Sequence, residues 1–339
     1  MKKNSTSIRN ITLSALAAAT LVTSGGGVHA QGKGIDEPFR TGYQSALAGK
    51  TIAFLPVAQG FDLAQGWLGG LKTQLEPLGV KFVTRDPNWN SNAGAQAFEN
   101  LIGEKPNVIV VHNPDVQTYA KLIQKAEAAG IYVLQINMRS AYPSTVYVGA
   151  DWVEVGEKTA QAAVTSCKGK SNKIAIVQGA LSAAASAYTL KGVENVLAKN
   201  PEVKVVANQA ADWDAAKAKA VTQTILKQNP DLCGIVGFWD GQDIGTAAAI
   251  KEAGLTGKVF LATSGGAEQK GACDQVKSGA FDVNMGYSVP MQAEDMASSI
   301  KWLLHSGIKA GSAKGAIYTK LTPITKANAD SACWSLGKM

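Results

Sequence analysis

Hydrophobic and polar positions along the chain predict strands that are each followed by a helix. The apolar run 51–57 is short and rich in strand-forming residues, so it predicts a buried strand. A loop containing a glycine follows, and from Asp62 onward leucine or tryptophan recurs every four residues, which predicts one face of a helix. Ligands of open parallel sheets bind at the carboxyl ends of strands, so the loop holding Phe61 is a candidate site.

The same alternation continues to the end of the chain. Further strands are predicted at 80–84, 108–111, 131–136, 173–177, 203–207, 234–238, 259–262, 281–285 and 316–321. Helices are predicted between them, with an extended segment at 142–150 and a last long helix at 291–305. Strands that alternate with helices imply parallel sheets covered on both faces.

The second half of this pattern repeats the first. Three segments recur 124 residues later: 88–90 at 212–214, 105–107 at 229–231, and 129–130 at 253–254. One coincidence would not produce the same offset three times. The fold class predicted is therefore α/β, with two similar doubly wound parallel-sheet lobes whose ligand edges face each other across a cleft.

The first thirty residues have the pattern of a secretory signal peptide. Lys2 and Lys3 begin it, 11–22 is apolar, and Ala30 ends a small-residue cleavage site. Without residues 1–30 the chain has 30 basic and 26 acidic side chains, and the net charge falls from +7 to +4. No cluster of Lys and Arg remains, which argues against a nucleic-acid partner. We expect a soluble periplasmic protein, with 31–49 as an N-terminal tether to the first strand.

The chain contains four cysteines, at positions 167, 233, 273 and 333. An even count in an exported protein suggests disulfides, and buried free thiols are the alternative. No two cysteines have C-x-x-C spacing, which argues against a metal site.

Catalytic chemistry is not indicated. After the signal peptide the only histidines are His112, at the end of a predicted strand, and His305, in a helix. The chain contains none of the G-x-S-x-G, G-x-x-x-x-G-K-[ST] and H-E-x-x-H motifs. We therefore predict neither an enzyme nor a cofactor.

The loops at the carboxyl ends of the strands combine aromatic with polar side chains. They hold Phe61, Trp89, Asn113, Asn137, Arg139, Trp213, Trp239, Asp240, Ser264 and Tyr287. Sugars present apolar C–H faces that stack on aromatic rings, and their hydroxyls need amide, carboxylate or guanidinium partners. The alternative is that each tryptophan packs at a sheet edge, and it stays open for Trp89 above all.

From Lys50 to about Thr322 the chain resembles the periplasmic ribose-binding family, the type I solute-binding proteins of ABC sugar importers. The matching stretches are Asn113-Pro114, Tyr147-Val148-Gly149-Ala150-Asp151, Val177-Gln178-Gly179, Ala211-Asp212-Trp213-Asp214 and Phe238-Trp239-Asp240. The resemblance implies a three-strand hinge, with crossings near Ala150, Tyr287 and Ser312. The lobes would then be 50–150 plus 288–311 and 151–287 plus 312–325, followed by a C-terminal tail at 326–339.

The resemblance also implies a ligand set. The family's binding positions fall on Phe61, His112 or Asn113, Asn137, Trp213, Trp239, Ser264 and Tyr287. The chain departs from a ribose site, which has an Asp-Arg pair at 137–138 and an Arg at 187. It also has an Asn at 239, an Asp at 264 and a Gln at 287. Of the arginines after residue 30, only Arg139 lies at a site loop. The predicted pocket is thus less charged and more aromatic than a ribose site.

These expectations define a monomeric receptor that binds a small neutral sugar or polyol and delivers it to a membrane ABC permease. A sensor that presents its ligand to a chemoreceptor or histidine kinase is the alternative. Repressors of the lactose type share the fold, but the signal peptide and the lack of an N-terminal helix-turn-helix argue against that class.

A disulfide pairing follows if the second lobe has the strand order 2-1-3-4-5. Cys167 and Cys233 each precede a strand of that lobe, and in this order the two strands are neighbours. Cys273 would then pair with Cys333 and attach the C-terminal tail to a helix.

Overall fold

The computed structural model describes residues 37–337. The predicted signal peptide at 1–30 lies outside the described residues, as do residues 31–36. No helix within 37–337 has the length and apolar character needed to cross a bilayer.

Twelve strands form within the described residues. They are β1 Thr51–Leu55, β2 Lys81–Thr84, β3 Val108–Val111, β4 Tyr132–Ile136, β5 Val146–Ala150, β6 Lys173–Gln178, β7 Lys204–Ala210, β8 Gly234–Gly237, β9 Phe260–Gly265, β10 Val283–Gly286, β11 Gly315–Thr319 and β12 Thr322–Ile324.

The helices lie between these strands. They are α1 Glu37–Leu47, α2 Asp62–Leu75, α3 Ser91–Glu104, α4 Ala120–Ala128, α5 Trp152–Cys167, α6 Ala184–Leu197, α7 Ala215–Gln228, α8 Asp240–Glu252, α9 Asp274–Ser278 and α10 Val289–Ser306. A π-helical turn at Gln269–Cys273 leads into α9.

The strands form two six-stranded sheets, and the predicted fold class is confirmed. The first sheet has the order β2-β1-β3-β4-β5-β11, and the second has the order β7-β6-β8-β9-β10-β12. All neighbours are parallel except β10 and β12, which are antiparallel. We call the layers around these sheets the first and second lobes.

Strand β1 shows why the pattern produces a sheet covered on both faces. Ile52 and Phe54 pack into one hydrophobic cluster, while Ala53 and Leu55 pack into another on the opposite face. All four side chains are fully buried. Successive side chains of a strand point to opposite faces, so a continuous apolar run is what a doubly covered strand requires.

The internal repeat is visible in the backbone. Trp89 and Trp213 both have φ of 63°, and the residue before each is also left-handed. The residues that follow, Asn90 and Asp214, are the N-caps of α3 and α7, and each side chain accepts a backbone N–H of its helix. The two lobes therefore present a tryptophan on the same type of tight turn.

Two boundaries differ from prediction. The tether predicted at 31–49 is wrong over Glu37–Leu47, which is helical. Within that helix, Tyr43 and Leu47 lie four residues apart and pack on the first-lobe core. The polar residues around them obscure this helical spacing in the sequence. The crossing predicted near Ser312 is also wrong: β11 still pairs with β5 of the first sheet, and only β12 joins the second. The other lobe limits stay predictions.

The structure contains disulfides Cys167–Cys233 and Cys273–Cys333, the pairing predicted from strand order. The first joins the chain just before β6 and β8, which are neighbours in the second sheet. The second attaches the C-terminal segment to the turn before α9. We place both disulfides in the second lobe.

Candidate ligand-binding cleft

The loops at the carboxyl ends of the two sheets enclose a cavity between the lobes, which we call the inner chamber. Its volume is about 30 Å³. The first lobe contributes the loop after β1, the turn before α3 and the ends of β3 and β4. The second lobe contributes the loops after β7 and β8 and the start of α5. The lining consists of Phe61, Leu63, Trp89, His112, Asn137, Met138, Trp152, Ala185, Trp213, Phe238, Trp239 and Tyr287.

Aromatic rings from both lobes meet across the inner chamber. Trp239 of the second lobe lies with its ring centroid 6.1 Å from Phe61 and 6.5 Å from Trp89, both in the first lobe. Trp213 lies 6.4 Å from Trp239, nearly perpendicular to it. Behind Phe61 the ring of His112 is stacked at 6.3 Å. Such rings offer flat apolar surfaces to a ligand held between the lobes.

Glycines under the second-lobe tryptophans fix how closely these rings approach the backbone. A Cβ on Gly179 would lie 2.1 Å from the ring of Trp213. A Cβ on Gly241 would lie 2.4 Å from the ring of Trp239. Each indole therefore lies directly on bare backbone, which restricts the ring to the position facing the chamber.

Several polar atoms of the lining are buried without a hydrogen-bond partner. They are both ring nitrogens of His112, Oδ1 of Asn137, and the indole Nε1 atoms of Trp213 and Trp239. Leaving a buried polar group unpaired costs about 1–3 kcal/mol, so such groups mark places where a ligand would bind. The second lobe thus supplies two N–H donors, from Trp213 and Trp239. The first lobe supplies the Asn137 oxygen as an acceptor, together with the His112 imidazole.

The lining has no formal charge. Burial lowers the pKa of His112 to about 3, so the imidazole is neutral at physiological pH. It offers one donor and one acceptor. Among residues 37–337, no group of three His, Cys, Asp or Glu side chains is placed to hold a metal ion. The chamber can thus stack on and hydrogen-bond to a neutral molecule.

Asn137 is held in position by its own backbone. Its φ of 63° is left-handed, and its carbonyl accepts hydrogen bonds from Tyr147 Oη at 2.9 Å and Trp152 Nε1 at 2.8 Å. The second of these bonds joins the start of α5 to the end of β4. The amide therefore faces the chamber from a rigid support at the hinge.

Buried carboxyl groups lie just outside the lining. Burial raises the pKa of Asp240 well above its usual range, and the nearby Asp62 carboxylate adds to this effect. Asn284 Nδ2 donates to Asp240 at 2.9 Å, and the backbone N–H of Gly241 donates at 2.8 Å. Burial, more than these negative neighbours, likewise raises the pKa of Tyr287. Asp240 is thus bonded to the start of α8 and to β10, and neither Asp240 nor Asp62 lines the chamber.

The structure brings six of the predicted site residues to the lining: Phe61, His112, Asn137, Trp213, Trp239 and Tyr287. The other four are engaged elsewhere. Asn113 donates to Gln135 Oε1 and Met138 O, and Ser264 donates to Phe238 O. Asp240 is bonded as described above. Arg139 stacks on Tyr147 and Tyr188, with its guanidinium carbon 5.0 and 5.6 Å from their ring centroids.

Trp152 and four further residues line the chamber without having been predicted to do so, and so does Trp89, a loop candidate that was not assigned to the ligand set. Trp89, for which packing at a sheet edge stayed open, is half exposed and turned into the cleft. The periodicity of α5 favours Trp152 as a core residue, and its 6% exposure agrees with that. However, its ring also closes the chamber at the hinge, beside Tyr287 at 5.3 Å. The remaining four lining residues are Leu63, Met138, Ala185 and Phe238. Among the lining residues outside the predicted ligand set, only Trp89 had a signal in the sequence, from its loop position and from its pairing with Trp213 in the repeat.

Comparison with known proteins agrees with this architecture. The family model described as periplasmic binding protein domain matches residues 52–307. A xylitol-binding protein of Mycolicibacterium smegmatis is 28% identical over 62% of this chain and 60% of its own length. The D-allose-binding periplasmic protein of Escherichia coli is 27% identical over 58% of this chain and 67% of its own length. The chain thus spans about three fifths to two thirds of these relatives.

Solved structures share the fold over most of the chain. A solute-binding protein from Burkholderia graminis, in complex with D-arabinose, superposes with a TM-score of 0.76 at 23% identity. The match covers 85% of this chain and 99% of that one. A galactofuranose-binding protein superposes with a TM-score of 0.74 at 19% identity, over 84% and 97% of the two chains. The family-model match over residues 52–307 shows that the chain belongs to the periplasmic binding protein domain family, and the shared fold agrees with it.

Proposed function

We propose that this protein captures a small neutral carbohydrate or polyol between its lobes and delivers it to a membrane ABC permease. The observation that carries the proposal is the inner chamber, where aromatic rings surround five unpaired polar atoms and the lining has no formal charge. A polyhydroxyl molecule matches both features, because its C–H faces stack on indoles and its hydroxyls both donate and accept.

The geometry supports capture by closure. Trp213 and Trp239 come from one lobe, and Phe61 and Asn137 come from the other, so a ligand bound to all four holds the lobes together. The chain crosses between the lobes at few points, which is the arrangement of a hinge. The closed form, with both lobes in contact with the ligand, is the form we expect the permease to recognise.

The relatives support the same ligand class. The names of those reported above refer to xylitol and D-allose, and a ribose import binding protein of Bacillus subtilis is 27% identical over 55% of this chain. All are named as binding proteins. Within the chamber, His112 has no carboxylate partner to make it a base, which favours binding over catalysis. An extracytoplasmic location and a monomeric state are part of the proposal, supported by the signal-peptide pattern and the family.

A thermal-shift screen tests this proposal. The panel contains xylitol, D-allose, D-ribose, D-arabinose and D-fucose, with D-gluconate as an anionic control and choline as a cationic one. A ligand at a thousandfold excess over its Kd adds about 4 kcal/mol to the free energy of unfolding. We expect a clear rise in Tm with one or more neutral compounds and none with gluconate. A shift with choline alone would contradict the proposal and indicate cation binding by the rings.

A further inference from the structure

The cleft continues past the inner chamber into a second, larger cavity, the outer chamber. Its volume is about 560 Å³, against about 30 Å³ for the inner one. Trp89, Met138 and Trp213 line both cavities and separate them. Nearly all the room in the cleft therefore lies on the outer side of the two repeated tryptophans. Small-molecule sites typically occupy about 300–1,000 Å³, so the outer chamber has the size of a site in its own right.

The outer chamber differs from the inner one in chemistry. Polar side chains of both lobes line it, among them Asn90 and Asp115 from the first lobe and Ser182 and Asp212 from the second. Its charged side chains are Asp115, Asp212, Asp214 and Lys217, and Lys217 Nζ lies 3.0 Å from Asp212. The carboxylate of Asp115 accepts the backbone N–H groups of residues 117 and 118. The chamber thus offers hydroxyl and carboxylate oxygens without an unpaired cation.

Trp89 joins the two environments. It is 50% exposed, and the left-handed turn places it at the boundary between the two chambers. An indole that is half exposed in a cleft is a stacking surface for a ligand that extends through it.

We propose that the preferred ligand has two parts: a unit that stacks on the rings around the inner chamber, which widens as the lobes move apart to admit it, and a hydroxylated unit, glycosidically linked to it, in the outer chamber. The ligand class is a neutral glycoside or disaccharide rather than a free monosaccharide. This inference rests on the proposed function, since it requires that the cleft binds carbohydrate. Three carboxylates against one lysine give the outer chamber a net negative charge, which disfavours a phosphate as the outer unit.

Matched pairs of compounds test the inference. D-Glucose is titrated against cellobiose and D-galactose against lactose, and the methyl β-glycosides of both sugars are controls that carry the glycosidic bond without a hydroxylated second unit. We expect at least one two-part compound to bind about tenfold more tightly than its parent, a gain of about 1.4 kcal/mol. Parents that bind as tightly as every derivative would overturn the inference and leave the proposed function intact. If no carbohydrate binds, both fail.

A blocking variant provides the second arm. Ser182→Trp places an indole in the outer chamber from an exposed loop position, so it should fold normally. We expect it to weaken the two-part compound about tenfold and to leave its parent unchanged. Ser45→Trp, exposed on α1, is the control and should change neither. Equal affinities in Ser182→Trp and the wild type would count against occupancy of this chamber.

The segment after β12, residues 325–337, contacts both lobes independently of the cleft, and we call it the C-terminal strap. Trp334 binds the second lobe through three hydrogen bonds: its Nε1 donates to Gly266 O at 2.7 Å, its backbone N–H donates to Ala267 O at 3.1 Å, and its carbonyl accepts from Gln269 N at 2.8 Å. The neighbouring Cys333 forms the disulfide to Cys273. The strap is thus fixed to the second lobe.

The same indole also reaches the first lobe. A Cβ on Gly66 of α2 would lie 2.6 Å from Cη2 of Trp334, so only a glycine lets the ring pack there. Trp334 accordingly packs against the core clusters of both lobes. Separation of the lobes must either break this contact or move the strap.

We infer that the C-terminal strap holds the two lobes together and that the Cys273–Cys333 disulfide is required for it to do so. Removing the anchor or the ring should favour the open form. Removing Cys167–Cys233, which joins the end of α5 to the residue before β8 within one lobe, should not. The chain therefore provides its own matched control for the effect of losing a disulfide.

Hydrogen exchange and X-ray scattering of the protein without added carbohydrate test this inference. Trp334→Ala and the double variant Cys273→Ser/Cys333→Ser should each increase the radius of gyration. Exchange of α2 amides near Gly66 should become about tenfold faster, equivalent to about 1.4 kcal/mol. The double variant Cys167→Ser/Cys233→Ser should leave both quantities unchanged. Wild-type scattering and exchange in the first two variants would overturn the inference.

Discussion

Truncating Trp239 is the most informative single change in the inner chamber. Its ring faces Phe61 and Trp89 across the cleft and lies beside Trp213. Of the second-lobe rings that line the chamber, Trp239 therefore has the most aromatic neighbours. Its Nε1 is buried without a partner, and it is therefore a donor reserved for ligand.

The expected magnitude follows from what is removed. Trp239→Ala deletes a stacking face and a hydrogen-bond donor at the centre of the site, and loss of a central aromatic anchor costs about 2 kcal/mol or more. This corresponds to about a thirtyfold rise in Kd. Trp239→Phe keeps a ring but loses the N–H, worth about 1 kcal/mol, so its Kd should rise about fivefold.

Isothermal titration with the strongest compound of the thermal-shift screen measures both variants. Trp302→Ala is the matched control, because that indole is 56% exposed on α10 and lies outside the chamber lining. It should bind like the wild type. A Kd for Trp239→Ala within twofold of the wild type, in a protein with unchanged circular dichroism and Tm, would refute the proposed stacking site.

Three further predictions concern neighbouring features. Gly179→Ala places a Cβ 2.1 Å from the Trp213 ring and should raise Kd severalfold in titrations, with little change in secondary structure by circular dichroism. Burial raises the pKa of Asp243 from 3.8 to about 7, so the native state retains a proton that the unfolded state loses. As the pH rises from about 4 to about 7, the free energy of unfolding should therefore fall, by at most about 4 kcal/mol from this group. Chemical denaturation at several pH values should show a weaker pH dependence of stability in Asp243→Asn than in the wild type. The double variant Cys167→Ser/Cys233→Ser should lose about 2–4 kcal/mol of stability in urea titrations at unchanged Kd; unchanged stability would contradict this.

Much of the architecture could be predicted because the sequence is locally consistent. Apolar runs such as Thr51–Leu55 have a single solution in a doubly covered sheet, and the 124-residue repeat implied two lobes. The strand order 2-1-3-4-5 in the second lobe makes the strands that follow Cys167 and Cys233 neighbours, which brings the two cysteines together. By contrast, the chain passes from β11 in the first sheet to β12 in the second over only two residues, and the composition there does not indicate a crossing.

The site was predictable in its aromatic residues and less so in its polar ones. Loop position alone places Trp213 and Trp239 at the cleft, since a large ring at a strand's carboxyl end has little core to join. Loop position does not decide whether a short polar side chain points into the cleft or back into the protein. Ser264 is at such an end, but its hydroxyl bonds back to Phe238 O, and Asp240 turns inward to Asn284. Trp152 is both buried and part of the lining, because the hinge brings α5 against the end of β4.

A neutral polyhydroxyl ligand held between the rings of the two lobes would be seen in a crystal structure with the strongest compound of the screen. We expect ligand density against Trp239 and Phe61, with ligand oxygens within hydrogen-bond distance of Trp213 Nε1 and Asn137 Oδ1. Ligand density outside the cleft, or a ligand that leaves both of these atoms unpaired, would contradict it.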